Sequence, residues 1–503
     1  MNLVMLLLCA AWFAGGDDTR RTLPLSSREA VSLSLNHNLD IEIARYQPWI
    51  ESQNVYAALG TFDHVLYGTF SDGRDVTPGL SSLSGATRLR RDATAFTMGL
   101  RKTLPFGPSY DFFFTNDRIE SNNAFLLLNP GWSQTAGGTV TVPLLQGMGQ
   151  AAKTATLVVA RHSRNASVDV FEKSLSDSVY QVIQAYWDLV FAIENRKVKG
   201  QSLEVATRLL EDTRKKLDRG LAARTDVTQA DAGVASQQEG ILTAEAAALN
   251  AADRLKRLVD PSLLRQEVLI VPIETPRSQA ADLDERLAVE QSMESALARR
   301  PELRQVRTQI ASQDVTIAKS ANDLLPRVDL SGTGLLNGSD ETFRAVDRET
   351  RSGDFYNFSA LLSFELPLER SAAKGAFHRA ELEKRRLRLQ QLNLENQALV
   401  EVHEAVRAIK TNEKRIEATR RARILAQEQM EGELARNEHG LSTTFRVLDV
   451  QEDLVLARTN ELKALIDYNL SDHKLQQVTG EILERNGILL KETLQPRLAP
   501  ADR

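Results

Sequence analysis

The chain has 503 residues, a net charge of −5 at pH 7 and a single cysteine, Cys9. A mildly acidic balance excludes the basic footprint of a general nucleic-acid binder, and one cysteine excludes a disulfide framework or a multi-cysteine metal site. The length alone would allow about three domains, but the sequence repeats itself and argues for two interlocked halves.

The segment from Leu3 to Ala14 is apolar and of signal-peptide length, and Ala14-Gly15-Gly16 offers small residues before Asp17-Asp18, so 1–16 reads as an export signal, though one without a basic start. If it is removed, the mature chain has no thiol. Cys9 is alternatively a lipid-anchor site, with Leu8 bulkier than such processing favours. No other stretch reaches the roughly 18 apolar residues of a membrane helix, which leaves a periplasmic, secreted or β-barrel chain. Residues 27–59 read as one helix capped by Ser26 or Ser27.

Short alternating segments follow. Thr139 and Thr141 alternate with Val140 and Val142; Asp329, Ser331 and Thr333 alternate with Val328, Leu330 and Gly332. In 355–367, Phe358, Ala360, Leu362, Phe364 and Leu366 share one face and Asn357, Ser359, Ser363 and Glu365 the other. A membrane barrel needs this period, and a half-buried sheet in a soluble sandwich gives it too. Residues 93–118, around Pro105-Phe106-Gly107-Pro108, form an additional hairpin whose membership of any barrel the pattern leaves open.

Residues 144–218 contain no proline and read as a helix of roughly 110 Å at 1.5 Å per residue, and 368–438 repeat it. Leu203, Ala206, Leu210, Thr213 and Leu217 keep the 3–4 spacing of a coiled-coil seam. The returning segment 221–258 is rich in alanine (Ala230, Ala232, Ala235, Ala244, Ala246, Ala247, Ala248), which lets helices approach closely. Pro261, Pro272 and Pro276 mark 259–291 as a linker, with Val268 to Val271 as one small strand, and 481–503 is a polar tail.

Two constant offsets establish the duplication. Leu39, Leu66 and Gly68 fall on Leu303, Leu330 and Gly332 at a shift of 264, and Gly220-Leu221 falls on Gly440-Leu441 at a shift of 220. The first copy is therefore 17–258 and the second 292–480. Catalytic chemistry is not nominated. His403-Glu404 opens a zinc-protease pattern, but Arg407 stands where the second histidine belongs. Gly147 to Thr154 lacks the spacing of a phosphate loop, and no nucleophile elbow occurs. No cofactor or metal is expected.

The order of strands and very long helices, in duplicate, resembles the TolC-like outer-membrane efflux and export channels over about 27–480. The resemblance rests on Thr141-Val142-Pro143-Leu144-Leu145-Gln146-Gly147, echoed by Glu365-Leu366-Pro367-Leu368, and on the two stretches that begin Arg219-Gly220-Leu221 and His439-Gly440-Leu441. It implies a mainly α fold with membrane β: duplicated helical hairpins forming an α-barrel tunnel, and about four strands per subunit in a shared trimeric 12-stranded barrel. It further implies a homotrimer in outer-membrane lipid with its tunnel in the periplasm, a periplasmic adaptor docked on Arg219, Gly220, Leu221, His439, Gly440 and Leu441, and an inner-membrane pump. At the tunnel mouth, Asp226 and Asp449 match family aspartates, whereas Arg446 replaces one, and Arg446 is expected to pair with Asp449 or Asp226. The opposing expectation is a periplasmic coiled-coil adaptor or scaffold without a barrel.

Overall fold

The computed structural model of the chain describes residues 21–79, 86–266, 268–276 and 289–493. The expected export segment with Cys9, part of the 259–291 linker and the tail beyond 493 lie outside the described residues. Contacts divide the chain into two units, one drawn from residues up to Gln47, Asp169–Arg304 and Asn393 onward, the other from Pro48–Val168 and Gln305–Leu392.

The second unit is built on a six-stranded antiparallel sheet: β2 (Val65–Pro78), β3 (Arg88–Thr103), β4 (Ser109–Ser121), β5 (Gly131–Pro143), β7 (Arg327–Asp340) and β8 (Tyr356–Glu365), in the order β2-β3-β4-β5-β7-β8. About four strands were expected, and the difference is the hairpin whose membership the sequence left open. Residues 91–103 of β3 pair continuously with 109–121 of β4, and both outer neighbours pair as fully. Side chains alternate across a strand, and the register carries two face patterns through the whole sheet. One face holds Leu66, Phe70, Phe96, Met98, Leu100, Phe112, Phe114, Val140, Leu330, Leu336, Phe358, Leu362 and Phe364; the other holds Thr69, Thr97, Thr115, Thr135, Thr139, Thr333 and Ser359. A short helix between β7 and β8, α8 (Phe343–Ser352), packs on β5 and β7, where a Cβ at Gly338 would come within 2.8 Å of the Val346 carbonyl.

The first unit is mainly helical, and several of the helices below run on into residues of the second. The segment read as one helix is two, α1 (Ser27–His37) and α2 (Leu39–Leu59), because the Asn38 side chain accepts a bond from the Asp40 amide at 2.7 Å and caps a new start. Ser26 caps α1 with a capping box closed by Glu29. Similarly, 144–149 is not helical: Gly147 and Gly149 hold positive φ of 79° and 91°, so the long helix begins with a turn, α3 (Gln150–Lys153), and continues as α4 (Ala155–Asp218). It returns as α5 (Arg224–Val259). The second copy supplies α6 (Val289–Arg299), α7 (Pro301–Asn322), α9 (Ser371–Glu438) and α10 (Thr444–Val478).

Phe171, Val179, Val182, Ile183 and Tyr186 of α4, Leu255 and Val259 of α5 and Ile466 of α10 form the main core of this unit. The linker strand β6 (Val268–Pro272) pairs in parallel with β1 (Arg21–Leu25), a partner the sequence reading did not identify. Tyr186 clamps this pair: its hydroxyl donates to the Leu25 carbonyl at 3.1 Å and accepts from the Glu274 amide at 3.2 Å. Burial pushes its pKa up to about 12.

Candidate functional site: the paired helix tips

The α4–α5 and α9–α10 hairpins turn in the same way. Gly220 and Gly440 both sit at φ +72°, the left-handed region where a side chain is strained. At the first turn the amides of Gly220 and Leu221 bond to the carbonyls of Leu217 and Lys216, each at 2.8 Å; at the second, those of Gly440 and Leu441 bond to Asn437 and Arg436 at 3.1 and 2.8 Å. Both are Schellman turns, in which the residue after the glycine ordinarily packs back on the helix. Here it does not: Leu221 is 74 % exposed and Leu441 78 %. Arg219 and His439, one residue before each glycine, are exposed as well.

The predicted mouth residues lie just beyond these turns. Arg446 Nη1 meets Asp449 Oδ2 at 2.6 Å within the first turns of α10, the closer of the two expected pairings. Both side chains are about half exposed (53 and 46 %), so the pair is an intrahelical surface contact. Asp226 is used differently: its carboxylate accepts the Ala223 amide at 2.9 Å and closes the start of α5. Thr443 performs that role for α10, its hydroxyl accepting from the Arg446 amide at 3.3 Å.

What ties one hairpin to the other are groups to which the sequence reading gave no functional role. Lys216 Nζ donates to the Asn437 carbonyl at 2.6 Å and to Asn437 Oδ1 at 2.9 Å, joining the ends of α4 and α9. Asn437 Nδ2 in turn holds the Ser442 carbonyl at 3.1 Å. One trace of this was readable: at the shift of 220, Asn437 occupies the place of Leu217, so a seam leucine is replaced by a polar group. Deeper in, buried Gln451 of α10 donates to the Ser202 carbonyl and hydroxyl at 2.6 and 2.7 Å, and Ser202 donates to Gln237 of α5 at 3.0 Å. Gly233 of α5 lets Leu448 lie against the backbone; a Cβ there would stand 2.7 Å from Leu448 Cδ2. Leu209, Met430, Val447 and Val450 fill the space around these contacts, and the predicted seam residues Ala206, Leu210 and Thr213 are buried.

Farther along the helices, Arg300 is nearly buried between the Val478 carbonyl and Glu401, both at 2.6 Å. Burial pushes the Glu401 carboxyl up, and the Arg300 hydrogen bond and charge outweigh it, so the net pKa is below the ordinary glutamate value. Asp169 and Glu172 grip Arg304 and are shifted the other way, because burial dominates there. Among the described residues no cluster of acidic, histidine or cysteine side chains has the arrangement of a metal site.

The sequence model of the outer membrane efflux proteins matches residues 116–259 and 293–481, about two thirds of the chain. The outer membrane efflux protein BepC of Brucella suis is 23 % identical over 362 residues, covering 70 % of this chain and 74 % of that one. The Campylobacter jejuni outer membrane channel CmeC superposes with a TM-score of 0.66 at 15 % identity, over 93 % of this chain and 89 % of its own. The Vibrio cholerae outer membrane protein VceC gives 0.65 at 17 % identity, over 90 and 96 %.

Proposed function

From the premise that this chain belongs to the outer membrane efflux protein family, we propose that it works as a homotrimeric channel-tunnel, taking solutes from an inner-membrane pump through the periplasm and the outer membrane. The family is one of outer-membrane channels with a helical periplasmic part. The reading as an adaptor without a barrel has no support: the chain carries a six-stranded sheet with a continuous apolar face.

The observation that supports assembly from several copies is that sheet's openness, and the family resemblance supplies the number three. β2 and β8 each have one neighbour, and a membrane sheet must leave no edge in lipid, so further copies close it. The two repeats, 17–258 and 292–480, each carry a hairpin turn with an unpacked leucine, which supports Arg219, Gly220, Leu221, His439, Gly440 and Leu441 as the docking surface for a periplasmic adaptor. Arg446, Asp449 and Asp226 then line the mouth, with the Arg446–Asp449 pair softening the charge presented to a passing ion. Energy is supplied by the pump, and the channel needs no bond chemistry.

The test is single-channel recording in a planar bilayer on detergent-extracted protein whose oligomeric mass has been measured. Discrete openings from a three-copy particle support the proposal. A chain that stays water-soluble without detergent and never conducts sinks it.

A further inference from the structure

We propose that the β3–β4 hairpin spans the membrane as part of the pore wall, so that three copies close an 18-stranded barrel in which β8 of each copy pairs with β2 of the next. This rests on the trimeric channel reading and adds the hairpin's place in it. Its new content is a pore wall half as large again as four strands per copy would make.

The hairpin is built into the sheet on both sides. On the polar face, the Tyr67 ring of β2 lies across Gly99 of β3, where a Cβ would come within 2.4 Å of it, and its hydroxyl reaches Asp111 of β4 at 2.9 Å. One side chain thus bridges three strands. Arg101 stands 5.4 Å from the same ring. On the apolar face, the Phe112 ring of β4 lies over Gly138 of β5, where a Cβ would be 2.5 Å away. The turn that joins β3 to β4 is also anchored: the Gly149 amide donates to the Phe106 carbonyl at 3.1 Å, at the junction where β5 gives way to helix. A flap lying outside the wall needs none of these contacts.

The faces say which solvent each side meets. Met98, Leu100, Phe112 and Phe114 continue the apolar band of β2, β7 and β8, which ends at Phe96, where Asn116 and Gln134 follow on the same face, while Thr97, Thr115 and Asp111 continue the polar one. From Tyr356 to Phe364 the band on β8 is about 26 Å along the strand at ~3.3 Å per residue, against a lipid-facing band of about 25 Å in membrane barrels. A hairpin outside the membrane would have no reason to keep that band in register with its neighbours.

The edges say what closes the wall. Every residue of β8 is exposed, and every residue of β2 except Tyr67; Tyr356, Phe358, Leu361, Leu362 and Phe364 are each more than 60 % exposed. Five successive antiparallel pairings leave β2 and β8 running in opposite directions. A β8-to-β2 seam between copies is therefore antiparallel, and the pattern continues unbroken around the ring. Barrel diameter grows roughly linearly with strand number, so 18 strands give about 1.5 times the diameter of 12, and barrels of 16–18 strands hold an aqueous channel.

The experiment places single cysteines at neighbouring positions of β3, Thr97→Cys on the polar face and Met98→Cys on the apolar face, in a Cys9→Ser chain. Particle mass is measured first. The reconstituted protein is then treated with a charged, membrane-impermeant maleimide, and separately with a lipid-soluble one. Three-copy particles in which Thr97→Cys reacts at least tenfold faster than Met98→Cys with the charged reagent, the order reversing with the lipid-soluble one, support the 18-stranded wall. Three-copy particles in which both react alike with the charged reagent put the hairpin in water and overturn the inference while leaving the trimer standing. A mass of two copies with Met98→Cys protected gives a twelve-stranded barrel and overturns both.

Discussion

Lys216→Met is the sharpest test of how the proposed mouth is held. The methionine keeps an unbranched stem of similar length and removes only the ammonium group. Two contacts go with it, to the carbonyl and to the side-chain oxygen of Asn437 at 2.6 and 2.9 Å. Hydrogen bonds from a charged donor contribute about 1.5–3 kcal/mol, and the partly buried setting of Lys216 argues for the lower end. At 1.4 kcal/mol per decade, about 1.5 kcal/mol moves a two-state opening equilibrium roughly tenfold per subunit. If three subunits open together the shift is on the order of a thousandfold. Open probability in a planar bilayer is the readout, with thermal melting of the proposed trimer as control. The expected outcome is longer and more frequent openings with a melting point close to that of the parent chain. Unchanged gating in a particle of intact mass would refute the reasoning, because it would mean that α4 and α9 do not separate when the proposed mouth opens.

Other substitutions probe the same helices. Gly233→Val drives a branched side chain into Leu448, which already leaves no room for a Cβ; overpacking of this kind costs about 1–3 kcal/mol, so the melting point falls and openings increase, and an unaltered melting point would show that α5 and α10 yield freely. Arg446→Ser frees Asp449 from its partner at 2.6 Å; an exposed pair contributes at most about 1 kcal/mol, so stability holds while conductance and cation preference rise, and an unchanged reversal potential and conductance would remove Arg446 from the ion path. Tyr186→Phe strips the Leu25 carbonyl of its donor and the Glu274 amide of its acceptor, a loss of about 1–2 kcal/mol in denaturant melts. Because burial raises the folded-state pKa of Tyr186 to about 12, the stability linked to its proton is complete below the unfolded value of about 10 and is lost as pH rises from there towards 12. The phenylalanine variant should flatten that alkaline limb, and an identical slope in both proteins would count against it.

The helices and the outer strands were legible because they rest on local periodicity. The alternation read over 355–367 became β8 at Tyr356–Glu365, and the helix read to 438 ends at Glu438. Errors fell where a side chain or glycine competes with the backbone pattern. Asn38 caps a second helix inside an apparently continuous one, and two glycines with positive φ delay the long helix to Gln150. The run Val268 to Val271 was readable as a small strand, but its partner β1 lies far away in the chain and its five residues are too few to carry a periodic pattern. Strand number was hidden for a different reason. Alternation in 93–118 says that a hairpin has two faces; only Gly99 beneath Tyr67 and Gly138 beneath Phe112 say which strands it lies between.

The site divides along the same line. Gly220 and Gly440 were readable because a left-handed turn selects glycine whatever surrounds it, and the leucines after them because they recur at one offset. The tie between the hairpins was not, since Lys216 looks like any solvated lysine in a charge run until Asn437 is brought against it. That contrast bears on mechanism. Arg446 and Asp449 belong to one helix, so their bond survives any rigid movement of that helix and cannot by itself hold two hairpins together. Lys216–Asn437 and Gln451–Ser202 join different helices, and a separation of the hairpins must break them. On the proposed channel reading, the charge at the mouth would decide what passes once it is open, and the less conspicuous polar contacts behind it would decide whether it opens.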